Sequence, residues 1–162
     1  MKNLFWSLSI FLVSCTSIQK KISGPLDPNR VFPDGTYRHR VTLTQANGKE
    51  NEFEGILKLK ADEIRVIGLS HFGSTVFEIV DHNGKIDLAI YYEPMKKHEG
   101  QFKDFYVSMK KILVQKNDQG EITLDNGAKV TVGKKDENQI PDSFEIIHPK
   151  FKVRVKVAGY DL

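Results

Sequence analysis

Cysteine, histidine, serine and the carboxylates are the residues that could carry chemistry in this chain, and their spacing argues against most of it. The five histidines, His39, His71, His82, His98 and His148, fall on separate runs without HxH or HxxxH pairing. With no partner cysteines, that pattern predicts no metal site. Neither a G-x-S-x-G elbow, nor a phosphate-cradling glycine loop, nor a dinucleotide fingerprint occurs. Ser70, His71 and Asp81 are the residue types of a triad, but a triad is defined by geometry and these positions match no known arrangement. The expectation is a protein with no catalytic residues and no cofactor. His39 falls on the apolar phase of its run, where a hydrogen-bonded core histidine is expected. The single cysteine, Cys15, can form no intramolecular disulfide.

The position of Cys15 is what makes it informative. Met1-Lys2-Asn3 gives a short positive start, and Leu4 to Val13 is an apolar run too short to span a bilayer but long enough for a signal-peptide core. The residues Leu12-Val13-Ser14-Cys15 that follow resemble the lipobox of bacterial lipoproteins, in which the cysteine thiol is diacylated and the chain is cut just before it. The resemblance implies a signal peptide over residues 1–14 and a lipidated Cys15 at the mature amino terminus. Several acyl chains on one residue exceed what stable anchoring needs, at about 0.8 kcal/mol per buried CH₂. Thr16 stands where enteric lipoproteins retained at the inner membrane carry Asp, which leans towards the outer membrane. Thr16 to Asp34 is polar, holds Gly24, Pro25, Pro28 and Pro33, and shows no sustained period. Residues 15–35 therefore read as a lipid-anchored tether.

Residues 36–162 are enough for one domain with a modest core. A composition of 40% apolar and 28% charged residues is ordinary for a globular fold, and a net charge of +3, well interspersed, argues against nucleic acid. From Tyr37 the pattern has period two. Five runs, ending at Tyr92 and punctuated by Asn47-Gly48, Ala61-Asp62 and Asn83-Gly84, predict an antiparallel meander. The third to fifth runs are apolar on both faces, which predicts a sheet centre covered on two sides. Pro94 ends the meander and 95–100 reads as a polar loop. In Gln101 to Val114, Phe102, Phe105, Tyr106, Met109, Ile112 and Leu113 recur at spacings of three and four, with Lys103, Asp104, Lys110 and Lys111 off the stripe. This predicts an amphipathic helix. Strands resume over 121–124 and 128–132 around Asp125-Asn126-Gly127, then over 143–148 and 151–157, the last with its lysines and arginine facing solvent. The fold class expected is mainly β with one major helix: an incomplete antiparallel barrel whose mouth the helix covers.

Residues 55–92 carry a second resemblance. Gly-Ile-Leu-Lys-Leu-Lys, the run Ile64 to Ile79 and Lys-Ile-Asp-Leu-Ala-Ile are similar to the central hairpins of LolB-type outer-membrane lipoprotein receptors, whose strand ends in a Leu-x-x-(apolar)-Gly loop. Here that loop is Leu69-Ser70-His71-Phe72-Gly73. The resemblance implies a LolA/LolB-like half-barrel that accepts acyl chains, with Phe72 as the membrane-inserting residue and Gly73 permitting the turn behind it. A Phe72 folded back into the core is the alternative. Cavity-lining residues would be Leu57, Leu59, Val66, Phe77, Ile79, Leu88 and Ile90 from the strands, with Phe105, Tyr106 and Met109 from the helix. A solid core would use the same side chains. The Pro- and Trp-containing segment usual after the family's mid-chain helix is missing, since Trp6 in the signal is the only tryptophan.

Two functions follow as expectations. The first is an envelope lipoprotein, lipid-anchored and facing the periplasm, that binds an acyl chain or other amphiphile in lipoprotein localisation or lipid transfer. Its partners would be the membrane, an acyl-chain or lipoprotein cargo and a periplasmic carrier. The second is a structural lipoprotein with a packed core that docks another envelope protein, and a hydrolase of envelope lipids or glycans comes third.

Overall fold

Alternating side chains begin at Gly35 and run through two meanders joined by one helix. A computed structural model describes residues 30–114, 121–123, 127–149 and 151–162. The signal core, the Leu12–Cys15 motif, most of the tether and the Asp125-Asn126 turn lie outside the described residues. The first meander comprises β1 (Gly35–Gln45), β2 (Glu50–Leu59), β3 (Glu63–Leu69), β4 (Thr75–His82) and β5 (Lys85–Ile90). A 3₁₀ turn, Glu93–His98, leads into α1 (Glu99–Val114). The second meander is β6 (Glu121–Thr123), β7 (Lys129–Val132), β8 (Ser143–His148) and β9 (Phe151–Asp161). Every neighbouring pair is antiparallel, and β9 returns to lie beside β1. The order is β5-β4-β3-β2-β1-β9-β8-β7-β6, one nine-stranded sheet whose outer strands do not pair with each other. The molecule is thus mainly β with one helix on an unclosed sheet.

Local chemistry explains the turns. Asn83 and Gly84 have φ of 51° and 87°, and His82 pairs with Lys85 across them, the two-residue loop that Asn-Gly favours between twisted strands. Pro94 sits in the first turn of the 3₁₀ segment, where its missing N–H is no loss. Helical structure therefore begins at Glu93, where a polar loop over 95–100 was expected, and α1 starts two residues ahead of Gln101.

One continuous core joins both meanders. Leu57, Leu59, Ile64 and Ile79 pack in the same cluster as Val130, Phe144, Ile146, Val153 and Val155, with Tyr106, Met109, Ile112 and Leu113 of α1 laid against them. On β9, Val153 and Val155 are buried while Arg154 and Lys156 are exposed, as the alternation predicts. The opposite face of the first meander departs from expectation. Ile56, Ile67 and Val80 are only half-buried, and Arg65 lies among them, paired to Glu63 and Glu78 at 3.3 and 3.2 Å. Its methylene stem and ion pairs do the shielding expected of a second layer.

The tether also ends sooner than its composition suggests. Val31 and Phe32 are buried, and the Phe32 ring meets Tyr37 edge-on at 5.2 Å and Phe144 at 6.2 Å. Tyr37 donates a hydrogen bond to the Pro33 carbonyl at 2.8 Å, and Arg30 pairs with Asp34. Residues 30–34, assigned to the tether by composition, are therefore part of the packed domain. Two apolar residues between prolines carry no periodic signal, so only their tertiary neighbours reveal them.

Candidate functional site

The inner face of the sheet and the middle of α1 border an apolar cavity. It is lined from β1, β2, β3 and β4 by residues including Val41, Phe53, Leu57, Val66 and Phe77, from α1 by Phe105 and Met109, and from β8 and β9 by Phe144 and Val155. Its volume is about 30 Å³, the share of roughly one water molecule. Among the ten residues expected to line such a space, Leu57, Val66, Phe77, Phe105 and Met109 do so. Leu59, Ile79 and Tyr106 are instead packed solidly into the core, while Leu88 and Ile90 are half-buried on the edge strand β5. The contributions of β1, β8 and β9 were missed because the family likeness spans only residues 55–92. For β1 the in-phase alternation of His39 with Val41 was the available signal.

Two irregularities shape the cavity. At Gly68, a Cβ would lie 2.1 Å from the Phe77 ring, so glycine alone lets that ring lie flat over β3. The β3–β4 register slips beside it, between Gly68 and Leu69. Phe77 also meets Phe102 of α1 at 4.7 Å. The second slip lies between Arg38 and His39 on the β1–β9 ladder, where Arg38 faces Gly159 and His39 faces Val157. Such bulges re-aim side chains.

His39 is the only polar side chain on the cavity wall among the described residues. It is 7% exposed, and Phe32 and Phe144 meet its ring edge-on at 6.3 and 6.1 Å. Burial holds its pKa down at about 4, so the ring is neutral at physiological pH. The hydrogen-bonded core histidine expected here is only half right. The ring is buried, but Nε2 has no hydrogen-bond partner among the described residues.

A second buried polar group ties α1 to the sheet. Asp81 is 2% exposed, and its Oδ2 accepts hydrogen bonds from the Tyr106 hydroxyl and the Lys110 ammonium, each at 2.7 Å. Its Oδ1 accepts from the Gly84 N–H at 2.7 Å. Burial and the bond to Asp81 push the Tyr106 phenol far above its ordinary range. Lys110, expected off the apolar stripe, is buried because it stands one helical turn beyond Tyr106 on the same face. Asp81 and the Ser70–His71 pair lie at opposite ends of β4, so those three residues form no triad.

The β3–β4 loop is closed by its own backbone. Ser70 N–H bonds the Ser74 carbonyl at 2.8 Å, Gly73 N–H bonds the Ser70 carbonyl at 2.9 Å, and the Ser70 hydroxyl accepts from Ser74 N–H at 3.1 Å. Gly73 has φ of 77°, the left-handed conformation that glycine adopts freely. Phe72 stands on this turn 92% exposed, which disposes of the folded-back alternative. Tyr91 and Tyr92, 59% and 55% exposed, lie at the same end, both N–H groups bonded to the Val76 carbonyl.

Among the described residues no three His, Cys, Asp or Glu side chains cluster as metal ligands, and no helix is long and apolar enough to cross a membrane. A family model described as "Protein of unknown function (DUF3261)" matches residues 36–102, from β1 into α1, and so contains the Phe72 loop, His39 and Asp81. No curated protein matches the chain.

Proposed function

We propose that this chain is a non-enzymatic lipoprotein of LolB-like half-barrel fold, anchored through Cys15 to the bacterial outer membrane and facing the periplasm. Its task is to take an acyl chain or other amphiphile between sheet and helix and to exchange it with a lipid surface in lipoprotein localisation or lipid transfer. The observation that carries the reading is Phe72, a phenyl ring 92% exposed on a turn whose own hydrogen bonds hold it out. A rigidly presented aromatic residue beside two exposed tyrosines suits a water–lipid interface, where rings have an apolar body to bury and hydroxyls can stay wet. Burying a Phe side chain contributes about 1.5–3 kcal/mol, enough to orient a tethered domain without locking it to the membrane.

An acyl chain of about 15 carbons carries roughly 12 kcal/mol of transfer free energy when wholly buried, and a membrane offers about the same. A carrier therefore needs near-matching affinity. Pockets for such ligands run to several hundred Å³, so the cavity must widen as the chain enters. On this reading the half-buried Phe102 and Phe105, against the fully buried Ile112 and Leu113, make the turns of α1 before Tyr106 the part that moves. The Asp81 clamp would hold α1 from Tyr106 onward, and parting of Phe77 from Phe102 would admit the ligand.

The test uses Phe72→Trp in the mature chain, where no other tryptophan is expected. Its emission should shift to the blue on anionic phospholipid vesicles, and Phe72→Glu should abolish vesicle binding by the unacylated chain while leaving thermal unfolding unchanged. An unshifted tryptophan would sink the membrane-contact reading. The small cavity favours a second reading, a packed domain that docks another envelope protein. Native mass spectrometry separates the two: lipid carried through purification supports the first, and a strictly ligand-free domain the second.

A further inference from the structure

We propose that His39 is the polar recognition point of the cavity, and that its Nε2 hydrogen-bonds an uncharged polar group, a hydroxyl or an ester or amide carbonyl, on the bound amphiphile. The inference rests on the amphiphile-binding reading and deepens it by stating what chemistry the ligand carries besides hydrocarbon. Nε2 is buried without a hydrogen-bond partner among the described residues, in a side chain only 7% exposed. Buried polar atoms are rarely left so, since the desolvation of each goes uncompensated. A trapped water does not answer the need well. The cavity of about 30 Å³ could hold one, but a buried water takes two to four polar partners, and among the described residues the wall is almost wholly apolar, with His39 its only polar side chain.

The ring is also aimed. Phe32 and Phe144 flank it edge-on, Tyr37 stacks at 6.3 Å, and the register slip between Arg38 and His39 falls at the same point on the ladder. Four neighbouring features thus fix an imidazole whose Nε2 has no hydrogen-bond partner among the described residues. Because burial keeps the ring neutral at pH 7, it offers one hydrogen bond and no counter-charge. Alcohols, esters and amides fit that offer, and carboxylate anions do not.

The experiment uses the chain from residue 15 onward with Cys15→Ser, so that no acyl group competes. Binding of 1-decanol, decane and decanoate is read at pH 7.5 by displacement of N-phenyl-1-naphthylamine, and ¹⁵N-histidine NMR follows Nε2 directly. Decanol should bind about tenfold more tightly than decane, as one recovered hydrogen bond allows, and more tightly than decanoate. The His39 Nε2 resonance should move with decanol and not with decane. In His39→Phe the preference should vanish while decane binding stays within twofold. Equal affinities for decanol and decane, or a still Nε2 resonance, would overturn the role of His39 and leave the amphiphile reading intact. Tighter decanoate binding would overturn the uncharged specificity, and probe displacement by none of the three would overturn both readings together. The NMR arm needs no variant, so a misfolded His39→Phe does not blunt the test.

Discussion

In the unfolded chain His39 takes up a proton near pH 6.5, whereas burial holds the folded side chain at about 4. Between those values the unfolded state binds a proton that the folded state refuses. The neutral ring's contribution is therefore fully present above pH 6.5 and is lost as the pH falls towards 4. The penalty reaches about 3 kcal/mol at the bottom of that window. His39→Phe, which keeps a ring against Phe32 and Phe144, should flatten this part of the profile. Urea unfolding of both forms at pH 7 and pH 4.5 measures it, and an unchanged pH dependence would show that the native ring reaches water. Position 39 was legible in the sequence as a residue of the inward phase. Its missing hydrogen bond was not, because whether a donor comes within 3 Å depends on strands more than a hundred residues away. Phe72 is the converse case: the resemblance to LolB-type receptors implied its projection, with a fold into the core as the alternative, and the loop's internal bonds hold it out.

Among the elements, α1 shows how a periodic stripe can mislead. The spacing of Phe102, Phe105, Tyr106, Met109 and Leu113 identified the helix and its buried side, yet Lys110 lies on that side as well. A lysine counts as polar in any pattern, and its ion pair with Asp81, on a strand 29 positions away, offsets the cost of its burial. Tyr106 donates a hydrogen bond to the same carboxylate oxygen, so sheet, hairpin turn and helix converge on one side chain. Asp81→Ala would leave the Lys110 charge and the Tyr106 hydroxyl without this acceptor, and the domain should lose about 3–5 kcal/mol, the usual penalty for breaking a buried ion pair from one side. Asp81→Leu combined with Lys110→Met should recover much of that loss, because it removes both charges. Chemical denaturation of the single and double variants decides it; equal losses would mean that Asp81 acts through Gly84 and the turn rather than through the helix. The strands were legible for a simpler reason: period-two alternation and Asn-Gly turns are local, and β3 and β8 begin and end where that pattern does. The 3₁₀ turn at Glu93–His98 was less so, since proline ends a strand and opens a helix with the same residue.

At the scale of the whole molecule, the proposed function gives the two ends of the sheet opposite duties. Gly35 pairs with Leu59, Leu59 with Ile64 and Ile64 with Asp81, so the chain enters the domain at the clamp end. The Phe72 loop, Tyr91 and Tyr92 lie at the other, roughly 20 Å away along β3 at about 3.3 Å per residue. Under the proposed function the lipid on Cys15 and the ring of Phe72 must reach the same membrane, and the intervening chain has to span the domain. The fifteen residue steps from Cys15 to Arg30 extend to at most about 50 Å, which is ample. Deleting residues 18–27 would leave five steps, at most about 18 Å, and the loop could no longer turn to the surface that holds the anchor. The shortened lipoprotein should therefore remain acylated, membrane-bound and folded, while a Trp at position 72 loses its quenching by brominated lipid. Restoring ten Gly/Ser residues should return it, because contour length and not sequence is what the geometry requires. Full quenching in the deletion form would mean that the domain meets the bilayer by another face, and the aromatic end would then be free to meet a protein instead.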